Sequence, residues 1–500
     1  MLKICHHFVS LRTRIFCAVA IFSLATPASP AELPAAVTDA LKSAGIPLQS
    51  VAVVVHRVDS EQALISHNAQ QAMNPASVMK ILTTYAALEI HGPAYTWLTK
   101  ALADAPIVNG QLNGNLYLRG SGDPRLALEQ FSLFLRQLRT RGIQQINGDL
   151  VLDRSAFSLP PHNPASFDNE PLRPYNTGPD ALLINFKSLS FILHPDTALG
   201  RVDLLQETPG IAPQFLDNRL NLSKEACGSW REKVKINVEK ETIILSGKFP
   251  AACGDKPLNL SPWPANAQVG RLFIALWNEL GGTWRGRVRE GTPPANAQVL
   301  ATHQSPTLGE VVREVNKYSN NVMASQVFLT LDSAQPATFE GAQRRIRAWL
   351  AQNGLSMPEL VLENGSGLSR RERISADHLG RLLLAAWRSP VMPELMASFP
   401  IAGTDGTLKK RLGDGTVLGR AHLKTGYLGN VRSLAGYVLD SKGNRWVVVF
   451  LVNDPRSVHG KPAMDALVNL LTEQGESLGP QAQAAPSSPE NARRNAAVAR

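Results

Sequence analysis

A serine and a lysine three residues apart, Ser77-Val78-Met79-Lys80, are the residues in this chain best placed to do chemistry together. At a helix start, side chains at i and i+3 share a face, so the hydroxyl and the amine come within reach of each other. Such a pair suits covalent catalysis, in which a neutral amine takes the proton as the serine attacks a carbonyl. The helix dipole disfavours a cation in the first turn, and Met79, Ile81 and Leu82 exclude water from Lys80, so both effects favour the neutral amine. The first backbone N–H groups of a helix lack internal partners, so the N–H of Ser77 can also face a developing oxyanion. Taken alone, the tetrapeptide better describes a snorkelling surface lysine beside a helix-start serine.

Two further motifs decide between those readings. Ser319-Asn320-Asn321 offers a hydroxyl and an amide, although Ser66-His67-Asn68 fits the same Ser-x-Asn pattern. Lys424-Thr425-Gly426 is the only such tripeptide in the chain. On a strand it presents a cation and a hydroxyl to a carboxylate, and its glycine lets an acyl group approach the backbone. The three occur in the order shared by penicillin-binding proteins and β-lactamases.

With these motifs, the sequence resembles the class C low-molecular-mass penicillin-binding proteins, the D-alanyl-D-alanine carboxypeptidase and endopeptidase family. The 242 positions between Ser77 and Ser319 match that family's large insert. Further matches are Gly120-Ser121-Gly122-Asp123-Pro124, Asn364-Gly365-Ser366-Gly367-Leu368-Ser369-Arg370 and Ala402-Gly403-Thr404-Asp405-Gly406-Thr407-Leu408. The resemblance implies an α/β, transpeptidase/β-lactamase-like domain with helices on an antiparallel sheet, and two nested, inserted, strand-rich domains. It implies that Ser77 is the nucleophile and Lys80 its base. Ser319 relays protons to the leaving amine, Asn321 orients the substrate amide, and Lys424 with Thr425 holds the terminal carboxylate. Gly426 lies against the acyl group, and the N–H of Tyr427 is the second oxyanion donor. A tyrosine there departs from the small hydroxyl residue of many relatives. Asp168 and Arg370 resemble residues lining a pocket for a diaminopimelate side chain, with an ordinary salt bridge as the alternative. The substrates implied are peptidoglycan peptides, with β-lactam antibiotics as covalent inhibitors and no cofactor.

A β-lactamase would share these motifs but must deacylate fast and has no evident need of the insert. A non-catalytic wall-binding protein would not need Ser77 and Lys80 intact.

The elements that must position these groups can be read locally. The β-branched run Val51 to Val58 and Ala63 to His67 suggest two strands across a polar turn. Asn74 as N-cap and Pro75 at the first position start a helix that runs to about Gly92. Short strand-like runs broken by Gly, Pro and Asn fill residues 94–262, with one helical pattern near Leu126 to Thr140. Helical texture returns over Val269 to Gly281, continuously over Leu308 to Leu329, with Ser319 inside it, and over Phe339 to Asn353. Leu434 to Leu439 and Trp446 to Leu451 form a hairpin pattern, followed by a helix over Pro462 to Gln474. The expected division is a signal peptide at 1–31, a catalytic domain at 32–93 and 263–476, inserted domains at 94–262 and a disordered tail at 477–500.

Lys3, Arg12 and Arg14 before the uncharged run Ile15 to Ala25 give the basic, apolar, small-residue order of a secretory signal, which points to the periplasm. Losing residues 1–31 lowers the formal net charge from +10 by three, a basic balance that suits an anionic wall polymer or peripheral contact with anionic lipid. Scattered cations without a recognised motif argue against nucleic acid. Only Cys227 and Cys253 lie outside the signal, and an oxidising compartment favours a disulfide between them. No ligand-spaced His and Cys cluster suggests a metal.

Overall fold

The computed structural model describes residues 31–478. The expected signal peptide, Ala31 apart, and nearly all of the expected tail lie outside those residues. Ala31 itself donates its N–H to Leu64 O at 2.8 Å.

The strand Val51–Arg57 is apolar from Val51 to Val55, almost entirely buried, and second from one edge of a five-stranded sheet. The order runs from the edge strand Ala421–Leu428 through Val431–Leu439, Arg445–Asn453 and Val51–Arg57 to Ala63–His67, and every pairing is antiparallel. A strand covered on both faces must be apolar at odd and even positions alike. Ala52 and Val54 face one core, with Ala435, Val447 and Val449 and the helices Lys80–His91, Leu308–Tyr318, Asn321–Thr330 and Ala376–Trp387. Val51, Val53 and Val55 face the other core, with Val448, Phe450 and the helices Ala35–Ser43 and Lys461–Gln474. The result is the expected helices-on-antiparallel-sheet architecture, with helices on both sides.

Between the helix ending at His91 and the one starting at Leu308, the chain builds three more sheets. Strands Leu98–Ala103, Leu116–Arg119 and Leu150–Asp153 form the centre of a five-stranded sheet, and a four-stranded sheet adjoins it. Helices Leu128–Thr140 and Ala265–Glu279 pack on these through Phe131, Phe134, Phe273 and Trp277. A six-stranded sheet from Leu189 to Leu260 has its own core around Phe191, Leu245 and Phe249. The expected disulfide, Cys227–Cys253, is present in it. Strands Thr283–Trp284, Val288–Glu290 and Gln298–Gln304 follow residue 263, yet they pair with Gln145–Ile146, Leu150–Asp153 and Leu98–Ala103 inside the insert's sheets.

Two local expectations need correction. The helix over Leu308 to Leu329 is not continuous: it ends at Tyr318, Ser319 adopts a left-handed conformation at φ 58°, and a new helix starts at Asn321. The Asn320 side chain caps it by accepting from Met323 N–H at 3.1 Å, the role of a good N-cap residue. Nor does Asn74 cap a helix directly. Ala76–Met79 is a 3₁₀ turn, the α-helix begins at Lys80, and Asn74 Oδ1 accepts from the Ala76 N–H at 2.8 Å.

Candidate active site

The nucleophile turn is held from several sides. Ala76 lies at φ 48°, a conformation that costs a non-glycine residue about 1–2 kcal/mol. Asn74 offsets that strain: its Oδ1 takes the Ala76 N–H, its Nδ2 donates to Ser369 O at 2.8 Å, and its backbone exchanges hydrogen bonds with the Asn453 side chain. Ser433 Oγ donates to Pro75 O at 2.6 Å from the neighbouring strand. Ser77 is left half-buried at the mouth of the site, over a fully buried Lys80.

Lys80 Nζ lies 3.0 Å from Ser77 Oγ and 2.7 Å from Asn321 Oδ1, and it also donates to Ser366 O. A neutral amine has two N–H bonds and one lone pair. The carbonyl of Ser366 and the amide oxygen of Asn321 can only accept, so they take the two N–H bonds and leave the lone pair for the Ser77 O–H. Burial pushes the Lys80 pKa well below its usual value, the Lys424 charge adds to the fall, and Glu372 opposes it. Sequence reasoning missed Glu372. It is fully buried, with Oε1 accepting from the N–H of Glu363 (3.0 Å) and Asn364 (3.3 Å), and Oε2 has no partner. Burial raises its pKa to about 7.

The loop that carries Ser366 is shaped by two glycines. Gly365 lies at φ 70° and its carbonyl accepts from Thr83 Oγ1 at 2.7 Å. Gly367, at φ 79°, passes so close to the nucleophile turn that a Cβ there would come 2.1 Å from Ala76 O and 2.8 Å from Ser77 N. Glycine is the residue that accepts both the positive φ and the close approach.

The left-handed turn at Ser319 puts its Oγ 2.8 Å from Lys424 Nζ. Lys424 is fully buried on the edge strand, donates also to Thr425 O at 2.6 Å, and burial lowers its pKa to about 7. Thr425 Oγ1 lies 2.8 Å from Thr407 Oγ1, a contact from the Ala402 to Leu408 string that sequence reasoning had not singled out. That string is fastened by Lys317, whose Nζ donates to Phe399 O (2.7 Å) and Asp405 Oδ2 (2.6 Å). A Cβ on Gly426 would meet Ser433 Oγ at 2.0 Å and Pro75 O at 2.7 Å, so the strand crosses directly over the nucleophile turn. Tyr427 is 57% exposed, with the Arg432 guanidinium over its ring at 3.6 Å.

Asn321 Nδ2 donates to Tyr175 O at 3.1 Å, which ties the site to the insert. Gln326, one turn further along that helix, is buried and pairs with both the N–H (3.0 Å) and the C=O (2.8 Å) of Asp180. A concavity of about 400 Å³ lies between them, lined by Phe167, Tyr175, Asn321, Ser366 and Arg370. Arg370 donates to Phe167 O at 3.0 Å and covers the Phe167 ring at 4.7 Å. Asp168 stands behind the wall, accepting from Tyr175 O–H (2.8 Å) and Asn176 Nδ2 (2.7 Å). The two are not ion-paired to each other. Among the described residues there is no cluster of three or more His, Cys, Asp or Glu that could hold a metal, and no helix long and apolar enough to cross a membrane.

The arrangement can acylate a hydroxyl with a carbonyl that is flanked by a carboxylate. Comparison with known proteins agrees on the type. The model of the D-Ala-D-Ala carboxypeptidase 3 (S13) family matches residues 33–474. A D-alanyl-D-alanine carboxypeptidase of Actinomadura sp. is 29% identical over 453 residues, covering 86% of this chain and 82% of the relative. The D-alanyl-D-alanine carboxypeptidase DacB of Haemophilus influenzae is 25% identical over 409 residues, 81% of this chain and 85% of the relative. The crystal structure of penicillin binding protein 4 from Haemophilus influenzae superposes with a TM-score of 0.72 at 24% identity, covering 87% of this chain and 99% of that one, which establishes the shared fold.

Proposed function

The chain belongs to the D-Ala-D-Ala carboxypeptidase 3 (S13) family and is a serine-type D-Ala-D-Ala carboxypeptidase, and from that premise we propose how its residues divide the work. Ser77 attacks the carbonyl of the penultimate D-alanine, and Lys80, neutral in its buried site, takes the hydroxyl proton. The N–H groups of Ser77 and Tyr427 face the oxyanion. Ser319, beside Lys424, passes a proton to the departing amine. Lys424 and Thr425 hold the terminal carboxylate, Asn321 orients the substrate amide, and Gly426 keeps the strand close to the acyl group. Water then hydrolyses the acyl-enzyme. The observation that carries this reading is the contact set of Lys80, whose Nζ reaches Ser77 Oγ and Asn321 Oδ1 with no water-exposed surface of its own.

The substrates we infer are peptidoglycan stem peptides, including cross-linked ones, and the protein acts outside the cytoplasm, in the periplasm. Asp168 and Arg370 belong to the concavity of about 400 Å³, Asp168 through Tyr175, and would read the charged end of the stem-peptide side chain. The insert we propose to run to Gln304, because Thr283 to Gln304 pairs within its sheets. One β-lactam complex of penicillin binding protein 4 from Haemophilus influenzae has been solved, and β-lactams should acylate Ser77 here. Intact-protein mass spectrometry with excess benzylpenicillin tests this: one persistent adduct is expected, absent in a folded Ser77→Ala variant. Drug turnover without an adduct would favour a β-lactamase. Neither adduct nor turnover would remove Ser77 from the catalytic role.

A further inference from the structure

A second concavity, of about 540 Å³, shares Tyr175 and Asn321 with the first but takes in Ser319 in place of Ser366. Its outer wall comes from the six-stranded sheet of the insert and the short helix Trp230–Lys233 packed on it, which carries Trp230 and Arg231, with Arg173 and Tyr318 beside them. Trp230 is fixed edge-on against Phe249 (5.7 Å between centroids, 82° between planes), so its position is set by that sheet's core. Tyr318 is 69% exposed, the last residue before the left-handed turn.

The charges in this cavity are out of balance. The Arg231 guanidinium lies 5.7 Å over the Trp230 ring and makes no ion pair or hydrogen bond among the described residues. Burial, then the neighbouring Arg173 guanidinium, lower its pKa to about 10, against weaker support from Glu170 and Tyr175. Glu170 already serves Arg173, at 3.2 Å. Two guanidiniums with one carboxylate between them leave a half-buried planar donor fork unmatched, and a fork of that shape fits a carboxylate in two parallel hydrogen bonds. The Trp230 and Tyr318 side chains add aromatic surface for the apolar stem of whatever carries that carboxylate.

Position narrows the ligand further. Ser319, in the wall, is the residue assigned above to protonate the leaving amine. A free D-alanine leaves as a small zwitterion whose carboxylate is held by Lys424 and Thr425, and it needs no second cavity. When the leaving amine belongs to another stem peptide, the carboxylate beside the amine takes the same place, and the rest of that peptide, with further free carboxylates, must continue past Ser319. We propose that the cavity between Trp230 and Ser319 is a leaving-strand subsite in which Arg231, with Arg173, binds a distal carboxylate of the second stem peptide of a cross-linked substrate. The proposal rests on the endopeptidase reading given above and makes Arg231 a specificity residue for it.

The test compares wild type with Arg231→Gln and Arg231→Lys on three probes: benzylpenicillin acylation, D-alanine release from a monomeric pentapeptide, and cleavage of a purified cross-linked muropeptide dimer. Arg231→Gln should raise KM for the dimer about ten-fold or more, the value of one charge-assisted carboxylate contact. Acylation and pentapeptide kcat/KM should stay within about two-fold of wild type, which also reports an intact fold, and Arg231→Lys should recover part of the dimer KM. An unchanged dimer KM overturns the subsite, as does an equal loss on all three probes. A wild type that acylates and trims pentapeptide but leaves the dimer intact overturns the endopeptidase reading and the subsite with it. Cleavage of the dimer that Arg231→Gln does not alter overturns the subsite alone.

Discussion

Lys80 and Glu372 set the proton inventory of the site, and their coupling can be measured. Burial dominates the low pKa of Lys80, and the Glu372 charge holds it up. Lys80 acts as a base only when neutral, so the acid limb of acylation follows its pKa. Replacing Glu372 by glutamine removes the negative charge, the Lys80 pKa falls further, and the acid limb should move to lower pH. Stopped-flow acylation by a chromogenic β-lactam across pH shows the shift directly. A limb that stays in place, in a variant that still melts like wild type, would show that Glu372 does not act on Lys80. The meeting of Ser77 with Lys80 was legible from sequence because their three-residue spacing puts both on one face of a helix start, and Lys424 was singled out by the order of the three motifs. Glu372 was not. It follows Arg370 and Arg371 and precedes Arg373 in a run that reads as a solvated charged loop, yet its carboxylate turns inward onto the N–H groups of Glu363 and Asn364. Only long-range packing reveals that.

At the scale of elements, the site depends on a break and a staple. The apolar periodicity from Leu308 to Leu329 carries through Ser319 without interruption, so pattern alone suggests one helix. The polar Ser319-Asn320-Asn321 run was the available signal, since Asn is a good N-cap and tolerates starting a new helix. The structure uses it to turn Ser319 toward Lys424. The staple is Lys317, two residues earlier, which is 2% exposed and bonded to Phe399 O and Asp405. Lys317→Met leaves both acceptors without their donor, and about 2–3 kcal/mol of stability should be lost, given that Asp405 keeps partial access to water. The Asp405 segment also carries Thr407 to Thr425, so acylation should slow in the same variant. Urea unfolding followed alongside β-lactam acylation tests both. A variant as stable as wild type would mean that Lys317 does not fasten the segment. The strands Val51–Arg57 and Val431–Leu439 and the helices Lys80–His91 and Lys461–Gln474 were anticipated from their apolar content, whereas the helix Ala376–Trp387, which packs on Val51–Arg57, was not. The route of residues 265–304 back into the insert was not, because pairing partners lie too far away in sequence for periodicity to report them.

Across the whole molecule, separate cores imply separable stability. The cluster around Phe249 has its own sheet and disulfide, while the catalytic sheet has two cores and no disulfide of its own among the described residues. Closing a loop of 26 residues is worth about 3.5 kcal/mol through the unfolded chain. Reduction under native conditions should therefore lower the melting transition of the six-stranded sheet while leaving β-lactam acylation largely unchanged. Calorimetry with and without a reductant, paired with an acylation assay, tests this, and equal damage to both would show that the sheets unfold as one unit.

An interior strand of the catalytic sheet raises a question of timing. Val51–Arg57 lies between Ala63–His67, its immediate successor, and Arg445–Asn453, which the ribosome makes only after the whole insert. Lys424 and Thr425 also arrive late, on the strand that covers the Ser77 turn. A nascent chain thus carries its serine and lysine for most of its synthesis without the groups that would hold a substrate carboxylate. Non-local pairings of this kind form slowly, after loop closure. The order in which the chain is made keeps a peptide-cutting site inactive until the last strands have joined the first.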